Sequence, residues 1–193
     1  MWTDESRFTL DFHDGRVRDH RMPGERFASC SVLEHDRFGG GSVMVWAGIW
    51  HSGRTAAVTI RGTLNAERYK NEIVLPVVIP TVQENQLIFQ DDNATPHRAG
   101  TVRSVVRDSG IPTLPWPARS PDLSPIEHAW DKLGRRVRSN YLHAPSTLDE
   151  LSRRLREHEQ WIIIDDDFIN ALCDSMPDRI RHCQMVNGGH THY

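Results

Sequence analysis

The amino-acid sequence predicts a single α/β domain on a mixed sheet, antiparallel at its start and parallel where helices cross over. Three observations lead there. The first half carries strand patterns joined by hairpin-like links, and "SVMVWAGIW" (42–50) turns at Ser52-Gly53 and returns as "TAAVTI" (55–60). The second half alternates short apolar runs with helix patterns, the order expected of crossover connections. The 193 residues are 38% hydrophobic and 25% charged, the balance of a globular chain able to bury a core without disulfides or a structural metal.

Each element follows from local signals. Residues 2–12 read as a strand, and His13-Asp14-Gly15 as a turn into Arg16-Val17-Arg18. Pro23-Gly24 interrupts the pattern, and Gly39-Gly40-Gly41 marks a loop. Asn65 suits the cap of a helix carrying Tyr69, Ile73 and Val77, which Pro76 is expected to end or kink. "QLIFQ" (86–90) is a short buried-type strand running into Asp91-Asp92. Residues 97–109 suit a helix closed by Gly110, "TLPW" (113–116) a short strand, and "PARSPDLSP" (117–125) a proline-rich connection. A helix over 125–138 begins with Pro125 at its first position, where the missing N–H costs nothing. Thr147 and Glu150 form a capping box for a helix reaching about Trp161, and Asp165 to Asp167 open another near Phe168. The first strand is expected centrally, beside the strand ending at Asp92, with the functional site at the carboxyl ends of the parallel strands.

Composition narrows function only loosely. No apolar run approaches the ~20 residues of a membrane span, so no membrane partner is expected. "MWTDESRF" has neither a basic nor an apolar leader segment, and no secretory signal is visible. Cys30, Cys173 and Cys183 are an odd, widely spaced set that suggests a reducing compartment and forms no zinc pattern. A net charge of −3 does not by itself mark a nucleic-acid binder. Arginines do cluster: Arg98, Arg103 and Arg107 recur on one segment, Arg135, Arg136 and Arg138 accompany Lys132, and Arg153, Arg154 and Arg156 follow. Their planar forks suit phosphate, although solvated helix faces produce the same pattern.

The chemistry rests on carboxylates. "FQDDNATPH" (89–97) ends a buried-looking strand on two adjacent acids, where charge is costly to hide. Strand parity does not choose between Asp91 and Asp92, because a central strand is buried on both faces. Taken singly, Asp92 reads as a turn or N-cap residue, Asp4 as a surface acid, and Glu127 as the far end of a capping box with Ser124. Taken together, acids on the first strand, at the end of the next parallel strand and on a late helix can converge. At a separation of ~4 Å each pair of carboxylates costs on the order of 4 kcal/mol at an effective dielectric of 20, so convergence calls for cations. Oxygen ligands suit Mg²⁺ or Mn²⁺, and two such ions roughly 4 Å apart support phosphodiester cleavage by an activated water. His97 and His128 are zinc-ligand types, but nothing else in the sequence completes such a site.

Long ordered motifs now carry a resemblance. "WTDESRF", "RMPGERF", "GGGSVMVWAGI", "GTLNAERYKNEI", "FQDDNATPH", "WPARSPDLSPIEHAWDKLGRRV", "SMPDRI" and "GGHTHY" run nearly end to end, and 34 residues separate Asp92 from Glu127. In these the chain resembles the catalytic domain of the Tc/mariner superfamily transposases, DDE enzymes with a ribonuclease-H-like fold. The resemblance selects Asp92 over Asp91 and implies Asp4, Asp92 and Glu127 as catalytic residues holding two Mg²⁺ or Mn²⁺ ions. It implies DNA end cleavage and strand transfer, with transposon ends and a TA target as DNA partners, a candidate homodimer and a nuclear location. Asn93 and His97 would lie beside the metal site. These two, with Arg119, Lys132, Arg135 and Arg136, are candidate DNA or phosphate contacts, and His97 is equally compatible with a structural role.

Family members carry a helix-turn-helix DNA-binding region ahead of this domain. The chain begins three residues before Asp4, so that region is expected to be absent and the chain to be a fragment. The alternative reading is a catalytically inactive relic, or a domain reused for DNA or protein binding. A host nuclease of the same fold is the third reading, disfavoured because transposase motifs flank the acids.

Overall fold

The structure, a computed structural model, describes residues 1–10, 41–117, 120–139, 145–156, 161–187, 189 and 191. The turns expected at 13–18, 23–24 and 39–40 lie outside the described residues. Strand β1 (Trp2–Thr9) pairs antiparallel with β2 (Ser42–Trp50), in a register that sets Asp4 opposite Ala47. The other edge of β2 takes β3 (Gly53–Arg54) and β4 (Val58–Ile60), also antiparallel. Ser52 makes the intervening turn with a φ of 74°.

On the far edge of β1 runs the chain leading to Asp92, where Trp2 and Gln90 form a parallel bridge. β1 therefore lies inside the sheet, beside the segment ending at Asp92, as expected. The parallel part is narrower than the expected strands at 86–90 and 113–116. Among the described residues it consists of isolated bridges, Trp2 to Gln90 and Phe89 to Thr113. Local chemistry explains this. Ile88 is 53% exposed, so "QLIFQ" enters the core only at Phe89 and Gln90. The Gln90 side chain accepts the Thr3 N–H at 3.2 Å in place of a backbone partner. Pro112 and Pro115 flank Thr113 and have no N–H to extend a ladder.

Helix α1 spans 66–84 without a break: a first turn at Ala66–Arg68, a wide i→i+5 winding over Tyr69–Val78, and Ile79–Glu84. Asn65 caps it, accepting the Arg68 N–H at 2.9 Å. Pro76, expected to end or kink the helix, is absorbed in the wide-turned stretch. The buried side chains there (Tyr69, Ile73, Val74, Val78 and Val82) recur mostly at intervals of four, which keeps one face of this looser helix against the sheet. Helix α2 (Gly100–Asp108) follows the acids and closes at Gly110, whose φ of +70° is the left-handed cap position.

A short 3₁₀ turn, Pro121–Leu123, leads into α3 (Ile126–Ser139). Helix α4 (Leu148–Arg156) opens with Thr147 Oγ1 accepting the Glu150 N–H at 3.2 Å, while the Glu150 carboxylate reaches Ser146 N–H at 2.9 Å. The expected extension of this helix to Trp161 crosses residues 157–160, outside those described. Asp165 caps α5 (Asp166–Asp174), and α6 (Met176–Met185) follows.

Two apolar clusters cover the two faces of the sheet. Val43, Val45, Ala47 and Ile49 of β2, with Phe8, pack against Ile126, Ala129, Trp130, Leu133 and Val137 of α3 and against α4 and α5. On the opposite face Trp46 clusters with Tyr69, Ile73 and Val78 of α1, Val102 and Val106 of α2, and Phe89 of the segment before Asp92. Helices on both faces explain why β2 is apolar at nearly every position. No helix among the described residues is long and apolar enough to cross a membrane.

Candidate active site

β1 carries Asp4 and Glu5 in succession, so their side chains leave opposite faces of the strand. Next to them the neighbouring segment has already departed, since its bridge to β1 is at Trp2. The open edge lets both carboxylates turn toward Asp92, and carboxylate oxygens of Asp4, Glu5 and Asp92 lie within 4.8 Å of one another. Glu127, in the first turn of α3, comes from the other side and contacts the Asp4 carboxyl directly. It does not serve as the capping-box partner of Ser124 that its spacing suggested. Asp4, Asp92 and Glu127 line one cleft of about 470 Å³, rimmed by Asn93, Arg98 and Trp116.

His97 divides the cluster electrostatically. Its ring stacks on Tyr69 with centroids 4.0 Å apart. Nε2 lies 3.2 Å from Glu5 Oε1 and Nδ1 2.9 Å from Asp92 Oδ1. Burial works against a charge on this ring, but the Asp92 and Glu5 carboxylates set against its two nitrogens outweigh it and lift His97 to about 10. The same contact holds Asp92 below the usual carboxylate range. Asp4 goes the other way: burial, then the Glu127 and Glu5 charges, push it up to about 8. Burial raises Glu127 as well. Glu5 and Asp92 thus share a cation, while the Asp4–Glu127 pair has none among the described residues. All-oxygen donors with uncompensated negative charge are what a hard divalent ion requires.

Of the candidate DNA contacts, Asn93 and His97 sit at the acids. The Asn93 amide is held by the Trp116 carbonyl at 2.8 Å, at a backbone φ of 63°, so it pins this loop to the next segment. Arg119 lies outside the described residues. Lys132, Arg135 and Arg136 do not line the acidic cleft: Lys132 Nζ rests 3.7 Å over the Phe168 ring, and Arg135 pairs with Asp131 at 2.7 Å. Arg136 is half-buried, with its Nε unpartnered among the described residues. Sequence reasoning missed Glu5, whose only signal was its place beside Asp4. It also passed over Arg179 of "SMPDRI", a buried guanidinium that donates to the Asp122 carbonyl at 2.8 Å and ties α6 to the turn just before Glu127.

A sheet flanked by helices, with carboxylates gathered at the end of its central segment, defines the ribonuclease-H-like class of metal-dependent nucleic-acid enzymes. The comparisons with known proteins sharpen this. The family model of the DDE superfamily endonucleases matches residues 1–152. The Tc1 transposase of Caenorhabditis elegans is 34% identical over 205 residues, covering all of this chain and 70% of that protein. Among solved structures, the Mos1 mariner paired-end complex with Mn superposes with a TM-score of 0.74 at 23% identity, covering 98% of this chain and 55% of the other. The Mos1 transposase catalytic domain with raltegravir and Mg gives a TM-score of 0.64 at 25% identity over 78% and 77% of the two chains. The chain belongs to the DDE superfamily endonucleases, within the Tc/mariner transposases. It spans about half the length of the Mos1 chain in the paired-end complex.

Proposed function

We propose that this chain is the catalytic domain of a cut-and-paste transposase, in which Asp4, Asp92 and Glu127 hold two Mg²⁺ or Mn²⁺ ions. The observation that carries the proposal is the contact between the Asp4 and Glu127 carboxyls, in one cleft with Asp92, neither carboxyl having an ion-pair partner among the described residues. Held by Asp4, Asp92 and Glu127, such ions would supply Lewis-acid activation of the attacking water or 3′ hydroxyl and charge stabilisation for the leaving oxygen of a phosphodiester. The protein's part is positional. His97 bridges Asp92 and Glu5 and fixes the direction in which Asp92 presents its carboxylate. Asn93 anchors the loop bearing Asp92 to Trp116, and Arg179 anchors the turn before Glu127. The DNA partners proposed are transposon ends and a TA target, acted on by a homodimer in the nucleus. Support comes from the family membership and from complexes of Mos1 with transposon-end DNA.

A plasmid-nicking assay with Mn²⁺ tests the activity. The proposal expects nicking by the wild-type chain, and its loss by at least a hundredfold in Asp92→Asn and Glu127→Gln. Nicking unchanged in both variants contradicts it.

A further inference from the structure

Exposed arginines among the described residues are of two kinds. Exposed Arg61, Arg107, Arg135 and Arg181 each have a carboxylate oxygen within 4.0 Å. The side chains of exposed Arg7, Arg98 and Arg103 have no hydrogen-bond or ion-pair partner among the described residues. All three line the acidic cleft or a hollow that shares residues with it. Arg98 lines the cleft itself and, with Arg103, an adjoining groove of about 510 Å³ along α2. Cleft and groove meet at Asn93, Arg98 and Trp116. Arg7 lines a third hollow of about 460 Å³, which shares Ala94 with the cleft and whose lining includes Glu5 and His97.

We infer that these hollows form one continuous track for a DNA strand, with the scissile phosphate at the acids and the neighbouring phosphates received by Arg98 and Arg103 on one side and by Arg7 on the other. The inference deepens the transposase reading and rests on it. A strand carries a phosphate at every nucleotide, so one placed among four carboxylates needs compensating charge immediately up- and downstream. Free guanidiniums supply it, because each presents paired donors to phosphate oxygens and none is already spent on a protein acid. The acid lining the groove is itself engaged: Asp91 accepts the Asn93 N–H at 2.8 Å. At a net charge of −3 the chain has no general attraction for DNA, so this local track decides where a duplex settles. Phosphate contacts of this kind fix register and carry no base information.

The test is binding of a labelled duplex of arbitrary sequence to the full chain at a series of NaCl concentrations. Each lost phosphate contact lowers the slope of log K against log salt by about 0.9. Arg98→Ala with Arg103→Ala is expected to flatten the slope by about 1.8 and weaken low-salt binding at least tenfold, and Arg7→Ala to flatten it by about 0.9. The double Lys variant at 98 and 103 keeps the slope, and Arg181→Ala leaves slope and affinity as in wild type. Mn²⁺ titration of each variant separates this inference from the metal reading, since none of these arginines is a proposed ligand. Unaltered slopes in the alanine variants, with Mn²⁺ binding intact, overturn the track. So does a wild-type chain that does not hold the duplex at low salt.

Discussion

Asp4 titrates in the folded chain at about 8, far above an unfolded aspartate near 3.9. Between those values the folded state keeps a proton that the unfolded state has lost, so stability falls as pH rises through the window. His97 adds the same sign higher up, since its folded value of about 10 lies above an unfolded one near 6.5. The metal-free protein is therefore expected to melt at progressively lower temperature from pH 5 to pH 9. Asp4→Asn, whose amide can donate to Glu127, is expected to raise metal-free stability at pH 8 by about 1–2 kcal/mol. Denaturant unfolding at pH 5 and pH 8 checks both, and a midpoint that climbs with pH refutes them. His97→Ala leaves Glu5 and Asp92 without their shared cation and removes the stack on Tyr69. We expect a cost of about 2–3 kcal/mol, at the low side for a buried pair because Asp92 is partly exposed. A loss below about 0.5 kcal/mol would mean that the ring is not the pivot of the site.

At the level of elements, the packing of α4 and α5 on β2 is centred on Trp161, which stacks on Trp130 at 5.0 Å and donates its indole N–H to the Thr55 carbonyl at 2.8 Å. Trp161→Phe preserves most of the apolar contact and orphans that carbonyl, for an expected loss of about 1–2 kcal/mol in equilibrium unfolding. Asn65→Ala, by removing the cap of α1, should cost about 1 kcal/mol in the same measurement. Caps and breaks of this kind were legible in the sequence: Asn65, Gly110, Thr147 and Asp165 all act where local chemistry placed them. Pro76 was not, because whether a proline ends a helix depends on the winding around it, and here tertiary packing of Tyr69, Ile73 and Val78 holds a wider turn. The strand at 86–90 was overread for a related reason. An apolar run states that burial is favourable, not which of its residues obtain it, and Ile88 does not.

On the scale of the whole molecule, both faces of one sheet are covered, and the site lies where its central segment parts from β1. The α/β architecture was legible in the order of strand and helix signals, and the family resemblance pointed to Asp4, Asp92 and Glu127, which line one cleft. Glu5 was not legible, because strand alternation assigns it to the face away from Asp4, and only the open sheet edge brings the two together. Nor could the arginine clusters be sorted. The sequence reading put Lys132 and Arg135 among the candidate contacts and not Arg98, whereas folding sets Lys132 on Phe168, pairs Arg135 with Asp131 and places Arg98 at the cleft with no side-chain partner among the described residues. The central claim is that three distant carboxylates form one divalent-cation site, and calorimetric titration with Mn²⁺ tests it most directly. We expect saturable binding by the wild-type chain, with protons released at pH 7 as Asp4 ionises, and at least a tenfold loss of affinity in Asp92→Asn and in Glu127→Gln. Absence of binding, or binding indifferent to both substitutions, would contradict it.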